Sequence, residues 1–124
     1  MKTKCGAWLI VCFSLLQGNL VGQSVNDWKA VRILPVGDSL TQGCCIDVQG
    51  GYRAPLRNLL ANAGFVSDFI GTQTDTDPAL SDKDHQGHPG YSISMLREGI
   101  GVWLKQAGQA DVVLLLAGTV DIWT

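Results

Sequence analysis

The sequence predicts an α/β domain: a parallel sheet with helices on both faces, a three-layer α/β/α arrangement. Three observations carry this. Short apolar runs, "VRILPVG", "FVSDFIG" and "DVVLLLAG", alternate with segments whose apolar residues recur at helical spacing. The last run does not alternate with polar residues, so both its faces are expected to be buried. Each run also ends in a turn: "GDSL" after the first, Gly71 after the second, "GTVD" after the third. Right-handed crossovers give the strand order 2-1-3. In such sheets ligands collect beyond the carboxyl ends of the strands, which is where these turns lie.

The elements follow in order. Lys2 and Lys4 precede "AWLIVCFSLL", an apolar stretch shorter than the roughly 20 residues that span a bilayer. "QGNLVGQS" then turns small and polar. This reads as a secretory signal peptide over residues 1–24, cleaved after Gly22 or Ser24, with the domain at 25–124. A secreted, extracellular protein without stable membrane association is expected; the alternative is an anchor that stays attached. In the first strand Pro35 lacks an N–H, which suggests an edge or a local irregularity. "GYRAPLRNLLANAG" reads as a helix with Pro55 in its first turn, Leu56, Leu59, Leu60 and Ala63 on its apolar face, and Gly64 at its end. "TQTDTDPALSDKDHQGHPG" reads as a long polar loop. Ser92 caps a helix to about Ala107, with Ile93, Leu96, Ile100, Trp103, Leu104 and Ala107 at helical spacing.

The 124 residues carry a net charge of −2, which becomes more negative once Lys2 and Lys4 leave with the leader. No basic patch remains, so nucleic acid is not an expected partner. Cys5 and Cys12 leave as well, and the adjacent Cys44 and Cys45 do not make a disulfide framework. Asp75, Asp77, Asp82 and Asp84 lack the glycine and terminal glutamate of a calcium loop and read as a solvated acidic face. No metal and no cofactor is expected.

At a strand-to-helix turn, Ser39 has a local reading as a helix N-cap and a chemical one as a nucleophile. The wider pattern favours the second. "GDSLTQG", "DFIGTQ" and "LLLAGTVDIW" resemble, in order, the signature blocks of the GDSL or SGNH hydrolases, whose sheet is flavodoxin-like. "GGYRAPLRNLLANAGFVSDFIGTQTD" followed by "DHQGHPGYSI" resembles carbohydrate esterase family 3, many members of which are acetylxylan esterases. The resemblance implies a secreted serine esterase acting on acylated carbohydrate or a small ester. It implies Ser39 as nucleophile, the Ser39 and Gly71 N–H groups as oxyanion donors, and Asp38, Gly118 and Asp121 in support.

Two departures qualify this. Val120 stands where the family has an asparagine donor. The family's Asp-x-x-His block lies well after the third block, and this sequence does not contain it in that place. "DKDH" spells Asp82-x-x-His85, but it precedes the third block, so His85 and His88 read as loop residues. The third strand would also have no neighbour on its outer side, an edge open to pairing. The sequence therefore reads as the amino-terminal half to two-thirds of such a domain, broken off after about the third strand, with weak activity or none. The alternative is a non-catalytic carbohydrate-binding remnant, or a fragment that self-associates through the exposed strand.

Overall fold

In the computed structural model, residues 29–44 and 49–123 are described. The leader and Cys45 lie outside them. Strand β1 is Val31–Gly37, followed by the short helix α1, Ser39–Gln42, and by α2, Arg53–Asn62. Strands β2 (Ser67–Phe69), β3 (Gln73–Thr74) and β4 (Asp84–Gly87) come next, then α3 (Ile93–Ala107), β5 (Val112–Leu116) and α4 (Thr119–Trp123). Among the described residues no helix is long and apolar enough to cross a membrane.

Strand β1 is the centre of the sheet. It pairs in parallel with β5 along Ile33–Gly37 on one side. On its other side it pairs first with β2, at residues 31–33, and then with β4, at Val36 and Gly37. The expected 2-1-3 order is present as β2-β1-β5. The expected polar loop is different: it contains β3 and β4, an antiparallel hairpin, and β4 joins the sheet beside β1. This hairpin is why Pro35 sits in a central strand. The residues of β1 that face β2 and β4 are the odd ones: the Val31 N–H donates to Val66 O, Ile33 O accepts from Ile70, and Gly37 O accepts from His88. Pro35 falls in that set, in the gap where β2 has ended and β4 has not begun, so its missing N–H costs no ladder bond.

Helices cover both faces. Leu34 and Val36 pack with Ile70 and with Leu96 of α3 on one face. Leu56 and Leu60 of α2 approach Ile33 and Val31 on the other. Ser92 caps α3 as expected, its Oγ accepting from the Met95 N–H at 3.4 Å. At the far end Arg32 donates to the carbonyls of Ala107 (3.0 Å) and Gln109 (2.7 Å), so a cation meets the negative end of the helix.

Two packing expectations fail. Leu59 and Ala63 are exposed rather than part of the inward face of α2. Strand β5 is not buried on both faces: Leu115 is 68 % exposed and Val113 48 %. Its only strand neighbour among the described residues is β1.

Candidate active site

The turn after β1 is set by close approach. A Cβ on Gly37 would lie 2.1 Å from Leu116 O and 2.3 Å from Thr41 Oγ1, so only glycine lets β5 and α1 meet the chain there. Asp38 follows, fully buried, as the N-cap of α1; its Oδ1 accepts from the Leu40 N–H at 2.9 Å. This carboxylate fixes the turn and leaves Ser39 as the first helical residue, half-buried. Its N–H belongs to the first turn, which has no intrahelical acceptor. Among the described residues its Oγ makes no hydrogen bond.

Helix α1 has only four residues, and its carboxyl end is held from outside. Arg53, 1 % exposed, donates through Nε to Thr41 O and through Nη2 to Gln42 O, both at 2.9 Å. The same guanidinium pairs with Asp75 and reaches Asp84 O at 3.5 Å. Arg57 pairs with Asp82, whose carboxylate also accepts from the Phe69 N–H at 2.8 Å. Asp75 and Asp82 are therefore not a solvated acidic face. They are counter-ions that fasten the hairpin to α2 and, through Arg53, to the serine turn.

The end of β4 is level with the end of β1, since Gly37 pairs with Gly87. The turn that follows is tied to the serine turn by the His88 N–H donating to Gly37 O at 2.8 Å. The third block joins them. Gly118 follows β5 with φ 110°, and Asp121 accepts from the Ile93 N–H through both oxygens, at 3.2 and 3.0 Å. That places a carboxylate on the amino end of α3, where the helix dipole favours it. Half-buried Val120 lies in the first turn of α4. The turns at 38–39, 88–92 and 117–121 thus share one rim. Gly71 is not level with them. Strand β2 ends opposite Ile33, and a Cβ on Gly71 would lie 2.0 Å from the carbonyl oxygen of His85, a residue before the partner of Val36. The rim glycine of this second region is Gly90, with φ 78° and open space at its Cβ position. Its signal was the "GHPG" spelling, hidden because β4 is too short and polar to read as a strand.

Neither histidine offers Ser39 a base. His85 is buried, and its Nδ1 accepts from the Gly87 N–H at 3.0 Å, which puts the ring proton on Nε2, 3.7 Å from Asp75. Gln86, fully buried, accepts through Oε1 from the Thr72 N–H (2.8 Å) and Oγ1 (3.0 Å). Its Nε2 therefore donates to His88 Nε2, 2.7 Å away. Both acceptor nitrogens are taken inside the fold. The His88 ring also stacks on Trp103, with centroids 4.2 Å apart, and on Tyr91 at 4.8 Å.

Burial, with the Arg53 cation beside it, pushes the His85 imidazole down to about 4. A histidine held neutral in the fold charges more readily when unfolded, so the unfolded chain binds more protons below about pH 6.5. The contribution is complete above that pH and is lost as pH falls towards 4, on the order of 2–3 kcal/mol. Urea midpoints measured from pH 7 to pH 4 should fall, and His85→Asn, which keeps an acceptor near Gly87, should flatten the curve.

No family model matches the sequence, and no curated protein does. Solved structures do. The chain is 41 % identical to the Clostridium thermocellum family 3 carbohydrate esterase, with a TM-score of 0.71 over 77 % of this chain and 47 % of that one. A family 3 carbohydrate esterase from Talaromyces cellulolyticus is 29 % identical, and an acetyl esterase solved with an acetate ion 28 %; both have TM-scores of 0.61 over 74 % of this chain and 45 % of theirs. The fold alone is shared with an SGNH-hydrolase family esterase at 21 % identity and a TM-score of 0.58. The chain thus spans about half the length of the structures it matches.

Proposed function

From a chain with the SGNH-hydrolase fold that is similar to the family 3 carbohydrate esterases, we propose a serine esterase that removes acetyl groups from plant polysaccharide such as acetylxylan. Export under the leader at 1–24 is part of the proposal. The observation that carries it is the Ser39 hydroxyl at the amino end of α1, without a hydrogen bond among the described residues, on a rim where three turns are fastened together. Ser39 Oγ attacks the acetyl carbonyl, the sugar hydroxyl leaves, and water releases acetate from the acyl-serine. The Ser39 N–H faces the developing oxyanion. By position the second donor is the Gly90 N–H, in place of the set-back Gly71 of the motif reading. Among the described residues no imidazole is placed to take the serine proton, so this chain acting alone is slow.

The test is acetate release from acetylated xylan by the 124-residue chain and by Ser39→Ala. A rate that disappears with the hydroxyl supports the reading, and an equal rate in both overturns it. A second reading, a carbohydrate-binding module without catalysis, is favoured by Val120 and by the engaged histidines. Calorimetric binding of xylan oligomers without acetate release would select it.

A further inference from the structure

The turn that carries Gly90 can aim its backbone in two ways. The Tyr91 N–H donates to His88 O at 3.1 Å, so residues 88–91 close a four-residue turn. Pro89 is its second residue and Gly90, with φ 78°, its third. That is the pattern of a type II turn, which needs a positive φ at the third position and favours proline at the second. The Gly90 N–H belongs to the central peptide of the turn. It takes no part in the closing bond, and among the described residues it has no acceptor. Type I and type II turns differ by a flip of this one peptide, so the same four residues can point the N–H to either side.

The tip of the turn is not what holds it. Pro89 and Gly90 are exposed, and a Cβ on Gly90 would meet nothing within 4 Å. Glycine itself takes either sign of φ readily. The direction of the peptide then depends on how the two ends are fixed, and both ends meet at the His88 ring. The His88 N–H ties the turn to Gly37 O at 2.8 Å. Its ring stacks on Tyr91, the other end of the turn, with planes 23° apart, and on Trp103 of α3 with planes 16° apart. Tyr91 and Trp103 are themselves 6.4 Å apart, so three rings close a triangle at the base of the turn. The ring edge is held as well: Nε2 accepts from the amide of fully buried Gln86, which Thr72 fixes in turn. Phenylalanine could supply the ring faces but not the acceptor. We infer that His88 is a positioning residue for ester hydrolysis, holding the ends of the 88–91 turn so that the Gly90 N–H is aimed at the rim that carries Ser39. The inference rests on the proposed function for what that N–H meets, the acetyl oxyanion. The holding of the turn rests only on the contacts around His88.

The experiment compares the 124-residue chain with His88→Ala and His88→Phe by two readouts. One is kcat and KM for acetate release from acetylated xylan, with the Ser39→Ala rate subtracted. The other is proton cross-relaxation between Pro89 Hα and the Gly90 N–H, which are close in a type II turn and apart in type I. The parent should give a strong cross-peak. His88→Ala should weaken it and lower kcat about 10–100-fold with KM unchanged, a part of what one oxyanion donor is worth. His88→Phe keeps the ring faces, and should show a smaller fall of both in the same direction; it decides the matter if His88→Ala does not fold. Arg32→Ala, which removes contacts at the far end of α3, should lower the urea midpoint and leave both readouts as in the parent. A weak cross-peak in the parent, a fall in kcat without the change in cross-peak or the reverse, a change confined to KM, or a fall in kcat that Arg32→Ala matches overturns the inference. If acetate release does not depend on Ser39 at all, the proposed function fails and the cross-peak alone decides: its loss in the His88 variants supports the holding of the turn, and its persistence overturns it.

Discussion

Replacing Arg53 with methionine is expected to remove most of the chain's cooperative stability. The guanidinium is buried, and its donors are divided between the last carbonyls of α1, the Asp75 carboxylate and Asp84 O. Deleting one partner of a buried ion pair costs about 3–5 kcal/mol, because the other charge stays buried without it. Domains of ordinary size are stable by only about 5–15 kcal/mol, and among the described residues β5 leaves Val113 and Leu115 exposed. The substitution should therefore bring the urea midpoint, followed by tryptophan fluorescence, close to zero denaturant. Arg53→Lys should lose most of the stability too, since one ammonium cannot reproduce the fork that spans Thr41 O and Gln42 O. Arg53→Met with Asp75→Leu should recover part of it by removing the stranded carboxylate. A midpoint unchanged in Arg53→Met would mean that the clamp is not what holds the serine turn.

That clamp shows where sequence reading stops. β1, α3 and β5 are legible because their apolar patterns are long and their ends carry standard signals: Gly37, Ser92 and Gly118. The hairpin is not. β3 has two residues, and β4 reads "DHQG" because its inward side chains, His85 and Gln86, are satisfied by hydrogen bonds instead of apolar contact. Periodicity has no purchase on such a strand. The aspartates face the same limit. Asp75 lies 22 positions from Arg53 and Asp82 lies 25 from Arg57, so nothing local distinguishes a buried counter-ion from a solvated one. For the site, the turn after β1 is legible in "GDSL", but that turn alone reads Ser39 equally as a helix cap, and its reading as a nucleophile comes from the resemblance of the three blocks taken together. Which glycine stands on the rim depended on finding β4, because β4, not β2, runs level with the end of β1.

Val120→Asn is expected to raise Ser39-dependent ester hydrolysis by about 10²–10³-fold, the rate that one oxyanion donor is worth, or about 2.7–4 kcal/mol of transition-state stabilisation. Val120 lies in the first turn of α4, between Gly118 and an Asp121 anchored by the Ile93 N–H, so its backbone is already fixed relative to the rim. Asparagine is close to valine in size, so an amide can be tried without repacking the sheet. The gain should appear in kcat with little change in KM, because the donor meets charge that exists only in the transition state. It should also vanish in Val120→Asn combined with Ser39→Ala, which separates it from background hydrolysis. A gain confined to KM would mean that position 120 contacts bound substrate but not the oxyanion. No gain, with the fold intact by circular dichroism, would mean that the side chain at 120 does not reach the reacting centre, and the third-block reading of "GTVD" would fail at that residue.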